Sequence, residues 1–167
     1  DVLESWSNGR LEQARVELEK NKIPRTSMLS QSLRSDNMEV SNTSITIDII
    51  ANDYYIYVDE GVKGLKGARP SSGRFSFKTP FPSRKMIANI RDWIPRKGII
   101  KPMPKGKKQT IPAADQAAIG IAFAVKQKGI KQTHFWSNTF NESSYRDLAN
   151  KIENELGNQY IIELNIK

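Results

Sequence analysis

Apolar residues along this 167-residue chain change their period several times, and each change marks a structural element. Over Val2–Asn21, Leu11, Ala14 and Leu18 fall at helical spacing with Leu3 and Trp6 upstream; Gly9 weakens the middle and Pro24 stops the helix. A short second helix is expected from about Thr26, with Met28, Leu29 and Leu33 apolar. The period then drops to two. Met38 and Val40 belong to a first strand and Asn42-Thr43 to a turn. Ile45, Ile47 and Ile49, alternating with Thr46 and Asp48, form the clearest strand in the chain. Tyr54–Glu60 points both ways: Tyr, Ile and Val favour a strand, whereas Asp53 suits an N-cap and Gly61 the position after a helix.

The stretch from Gly61 to Ser83 is irregular, and longer than an ordinary connection. Ser83 is placed to cap a helix carrying Met86, Ile87, Ile90 and Trp93, which Pro95 and Gly98 end. Pro112 suits the first turn of a helix running to about Lys128. Its face of Ala114, Ala117, Ala118, Ile121, Ala122 and Val125 permits close packing, and Gly129-Ile130 fits a Schellman ending. A further helix over Glu142–Leu156 aligns Tyr145, Leu148, Ile152 and Leu156, and Gly157 terminates it. The chain closes on a strand with Tyr160, Ile162, Leu164 and Ile166 on one face, expected to pair with the Ile45 strand. The fold class that follows is α+β: a small antiparallel or mixed sheet packed against helices, with a long basic inserted loop and terminal arms. Residues 1–167 are expected as one domain, 61–84 as a basic flexible insert and 100–111 as a basic linker.

Charge changes this picture. The net charge is +8, but Gly61–Thr110 holds fourteen Lys and Arg against Asp92 alone, so that stretch carries +13 and the remainder −5. A mildly acidic scaffold with one basic insert points to an acidic or nucleic-acid partner, against the plainer reading of a solvated loop. No apolar run approaches the ~18–20 residues of a membrane-spanning helix, and no secretory signal is visible. The chain begins at Asp1, which leads to the expectation that native residues precede it.

Little chemistry is offered. With no cysteine and one histidine, His134, an ordinary zinc site lacks ligands, and a structural role for His134 is expected. No nucleophile has an identifiable base. The adjacent acids Asp59-Glu60 point apart, so a helix-end charge or an intermolecular salt bridge is the better reading. Gly61-Val-Lys-Gly64-Leu-Lys-Gly67 lacks the G-K-[ST] ending of a phosphate loop and reads as a flexible loop. No catalytic residue, metal or cofactor is assigned. The candidate partner-binding residues are Lys63, Lys66, Arg69, Arg74 and Lys78 with Phe75 and Phe77: cations can hold phosphates while rings stack on bases, or apolar anchors can sit within a charged protein interface.

The order of several segments resembles the tail-completion, or neck, proteins of tailed bacteriophages, the minor-tail-protein-Z-like group. Thr26-Ser-Met-Leu29-Ser-Gln-Ser32-Leu33 precedes the strand pair, and Tyr54-Tyr-Ile-Tyr57-Val58-Asp-Glu60-Gly61 follows it. Ile90-Arg-Asp-Trp93-Ile94-Pro-Arg-Lys97-Gly98-Ile99 comes next, then a helix ending in Lys128-Gly129 with Phe135 beyond. The resemblance implies a short helix over Tyr54–Glu60 and a structural, non-enzymatic role in the virion, at the neck between portal or connector and tail. It implies synthesis in the bacterial cytoplasm and a ring of six or twelve copies around the DNA channel. Partners would be its own copies, the portal or connector, and tail or other neck ring proteins, with no membrane and no small-molecule substrate. Non-specific contact of the basic insert with packaged DNA, or a nucleic-acid-binding module of another class, is the alternative.

Overall fold

A computed structural model describes residues 2–41, 44–67, 73–95, 113–156 and 161–166. In chain order the elements are α1 (Val2–Lys20), α2 (Met28–Ser32), β1 (Arg34–Val40), β2 (Ser44–Ile50), α3 (Tyr55–Asp59), β3 (Val62–Lys63), α4 (Arg84–Trp93), α5 (Ala113–Lys128), β4 (Gly129–Ile130), α6 (Glu142–Leu156) and β5 (Ile161–Ile166). The fold is α+β. Where one domain was expected, contacts divide the chain into two compact units: residues 1–59 with 133–167, and residues 60–132. The expected linker 100–111 and the Asn42-Thr43 turn lie outside the described residues.

The first unit is built on a three-stranded mixed sheet in the order β1-β2-β5. β1 and β2 run antiparallel, with an irregularity between Asp36 and Met38, and β5 runs parallel to β2, placing Ser44 beside Ile161 and Ile49 beside Ile166. Ile47 and Ile49 are buried, as their alternation required. α1 packs against β1 and α6, and its Leu3, Trp6, Leu11, Ala14 and Leu18 all join the core. Residues 2–20 are therefore part of the core, because five large or closely packed apolar residues on one stripe must be covered.

A Schellman turn, not Pro24 alone, ends α1. The Ile23 N–H donates to the Leu18 carbonyl at 2.9 Å and the Lys22 N–H to that of Glu19 at 2.8 Å, with Lys22 at φ 64°. α2 is short but capped at both ends. Ser27 accepts from the Ser30 N–H, and the Arg15 guanidinium donates to the Leu33 and Ser30 carbonyls at 2.5 and 3.3 Å. At α6 the Asn141 side chain accepts from the Ser144 N–H while the Ser144 hydroxyl accepts from the Asn141 N–H, both at 3.0 Å, a reciprocal capping box.

α3 resolves the ambiguity of Tyr54–Glu60 in favour of a helix. The reason is tertiary. Its last carbonyls, of Val58 and Asp59, accept from the backbone N–H groups of Thr133 and His134, and the buried Asp59 carboxylate accepts from the N–H of Trp136 at 2.7 Å and of Ser137 at 3.2 Å. Asp59 thus organises the 133–140 segment, rather than serving as an exposed helix-end charge or an intermolecular ion pair. That segment brings Trp136 to 4.8 Å from Tyr55 and 4.4 Å from Phe140, ring centre to ring centre.

Candidate interaction surface

The basic stretch belongs to the second unit, residues 60–132, which holds seventeen Lys and Arg against Glu60, Asp92 and Asp115. Its net charge is +14, which leaves −6 for the other unit in a chain of +8. β3 and β4 pair antiparallel. Residues 75–77 line up along the other side of β3: the Lys63 N–H donates to the Phe75 carbonyl at 2.9 Å and the Phe77 N–H to the Lys63 carbonyl at 3.0 Å.

The glycine run is a cap, not a loose loop. The N–H groups of Leu65 and Lys66 donate to the Lys126 and Gln127 carbonyls, each at 3.1 Å, and so satisfy the carbonyls that the last turn of α5 leaves unpaired. The approach is close enough that a side chain at Gly64 would strike the backbone of Gln127, Lys128 and Gly129. At Gly61, with φ 75°, a Cβ would sit 2.7 Å from the Ile130 carbonyl oxygen. Gly129 has φ 84°, the left-handed residue expected after this helix.

Of the expected partner-binding residues, Lys63, Lys66, Arg74 and Lys78 are exposed and Phe75 and Phe77 are half-buried; Arg69 lies outside the described residues, as does Gly98. The two phenylalanines are faced by cations of their own unit. Arg74 stacks on Phe75 at 4.7 Å while pairing with Glu60 at 3.1 Å, and the Lys126 ammonium lies 4.7 Å from the Phe77 ring centre. From Phe77 the chain follows α5 back to Phe81, whose ring meets Phe123 edge-on at 6.3 Å. Ser83 then caps α4 as expected, accepting from the Met86 N–H. The Phe81–Phe123 contact at the start of α4 and the Arg91–Asp115 pair (3.7 Å) near its end set α4 antiparallel to α5.

What sequence reasoning missed is how little of this unit is covered. Among its described residues the buried apolar side chains are Val62, Ile94, Ala118 and Ala122. Phe81 is 73% exposed, and Leu65, Trp93 and Phe123 are exposed as well. The signal was present: α5 carries only Asp115, Lys126 and Lys128 as charged residues, and a helix apolar nearly all round requires cover on more than one side.

The remaining motif residues lie in the first unit, apart from Glu60 and Gly61. Phe135 is fully buried and Val58 packs against the core. Tyr54, just before α3, and Tyr57 within it are exposed, and partial burial pushes the Tyr54 phenol above its ordinary value, with the Leu29 backbone acting the other way. His134 is exposed at φ 54° and donates its backbone N–H to the Asp59 carbonyl at 3.0 Å. A cleft of about 670 Å³ between α1 and α6 is lined by Trp6, Gly9, Arg10, Asp147 and Lys151. Its central charges neutralise one another, with Asp147 3.0 Å from Arg10 and 3.5 Å from Lys151. No group of three or more metal-ligating side chains occurs among the described residues, and no helix among them is long and apolar enough to cross a membrane. No family model, curated protein or solved structure matches the chain.

Proposed function

We propose that this chain is a structural assembly protein of the head–tail junction of a tailed bacteriophage, forming a ring around the DNA channel between portal and tail. The observation that carries the assembly reading is the segregation of charge onto a unit that leaves Phe81, Trp93 and Phe123 exposed. A +14 unit and a −6 unit on one chain, the first with exposed Phe81, Trp93 and Phe123, supply the apolar anchors and complementary potentials of macromolecular contact. The order of the Thr26–Leu33, Tyr54–Gly61, Ile90–Ile99 and Ile121–Phe135 segments supports the neck assignment. So does α3, a helix where the resemblance implied one and local propensity left the choice open. Heterologous contacts between unlike faces generate closed rings when the rotation closes. Mass photometry and negative-stain images of the purified chain test this reading: annular particles of discrete copy number are expected. A monomer that binds duplex DNA with steep salt dependence would replace it with the nucleic-acid reading.

A further inference from the structure

We propose that the Phe81–Phe123 face of α5 seats on the α2–α3 face of a second copy of this chain, around Met28, Tyr54 and Tyr57. The inference rests on the assembly reading and names the two surfaces that meet. On the first surface α5 exposes Gln116, Gly120, Phe123 and Ala124 in one line, while α4 covers another side. Phe81 and Phe123 project together, and beside them Gly120 leaves open space where a Cβ would stand. A ring pair beside a bare stretch of helix backbone leaves room for side chains from outside. Lys78, Arg84 and Lys85 are exposed in the same unit and make no ion pair among the described residues.

Charge selects the occupant. Two basic units meeting face to face would bring +14 against +14, so the contact is not α5 on α5. Duplex DNA would satisfy the cations but leaves Phe81 and Phe123 nothing to bury against, because its bases are already stacked. The −6 unit of a second copy supplies both requirements at equal stoichiometry. Tyr54, immediately before α3, and Tyr57 within it stand three residues apart, both exposed. The Asn52 N–H donates to the Ser32 hydroxyl at 3.0 Å, which ties the segment before α3 to α2, where Met28 is 63% exposed. Asp53, exposed at the head of α3, adds a carboxylate. The contact joins unlike faces, so it propagates from copy to copy.

Sedimentation velocity of the nuclease-treated full chain, with Phe123→Glu and Tyr57→Lys variants, tests the pairing. Both sites are exposed, and unchanged thermal melting confirms that the variants fold. Each variant alone should associate more weakly than the parent by about tenfold or more. An equimolar mixture should recover association, because Glu at 123 of one copy then meets Lys at 57 of the other while the remaining contact is native. A monomeric parent, an unaffected Phe123→Glu variant, or a mixture no better than its parts overturns the proposal. Vesicle binding lost in Phe123→Glu with self-association intact overturns it in favour of a membrane surface. Rings that persist in both variants remove this contact and keep the neck reading. Open filaments that both variants abolish keep the contact and remove the ring.

Discussion

In the unit formed by residues 1–59 and 133–167, a sheet, two long helices and an aromatic cluster close over one core in which Leu18, Leu33, Phe135 and Leu148 are essentially inaccessible. Among the described residues of the unit 60–132, two antiparallel helices and a short ladder bury Ile94, Val62 and two alanines, and leave Phe81, Trp93 and Phe123 at the surface. The first unit buries most of its apolar residues in one core and leaves Met28, Tyr54 and Tyr57 exposed. The second satisfies its backbone internally, through the cap on α5, and leaves apolar side chains for something else. The physical difference is the amount of cover: α1 packs on both the sheet and α6, whereas among the described residues α5 has α4 and a short ladder. Stability is therefore expected to concentrate in the first unit, and the second unit to contribute the larger share of uncovered apolar side chains to partner contact.

Removal of residues 160–167 should have the largest effect. It strips β5 from β2 along six paired positions, Ser44–Ile49, and is expected to give insoluble or molten protein without a cooperative melt. A truncated chain that melts as sharply as the parent would mean that the first unit does not depend on its sheet.

Asp59→Ala comes next, at about 2–4 kcal/mol, since a buried and a partly buried N–H lose a charged acceptor. Asp59→Asn retains an acceptor and should lose less. Chemical denaturation followed by tryptophan fluorescence reads this directly, because Trp136 donates to that carboxylate.

Gly64→Ala probes the other unit. The added methyl meets backbone rather than a yielding side chain, so a cost of about 1–3 kcal/mol is expected. Protease sensitivity should rise within residues 60–132 while the Trp136 signal holds. Parallel loss of both would show that the units unfold as one.

The smallest effect is expected at the surface of α1. Hydrogen bonding from Arg25, at 2.5 Å in the ion pair, holds the Glu12 carboxyl below its ordinary 4.5, with Arg15 adding to the shift. A depressed carboxyl stabilises the fold above its unfolded value, and that contribution disappears as pH falls through the folded one. The melting temperatures of the parent and of Glu12→Gln should differ slightly at neutral pH and converge in acid. A constant gap down to low pH would assign the difference to packing.

Much of this architecture is determined by the sequence alone. The stripes of α1 and α6, the alternation of Ile45, Ile47 and Ile49, the Ser83 cap and the glycine after α5 are local patterns, set by covalent spacing and by which φ values glycine tolerates. The candidate surface was legible as composition: basic residues interleaved with phenylalanine. Which of those rings remain uncovered was not, because Phe77 and Phe81 look alike until Lys126 and Phe123 arrive from α5. Only the tertiary structure decided that Tyr55–Asp59 is helical, that Asp59 turns inward, and that Gly64 is a point of contact rather than of freedom. In each case the deciding partner lies more than sixty residues away along the chain, beyond the reach of any local rule: Thr133–Ser137 for α3 and Asp59, and Gln127–Gly129 for Gly64.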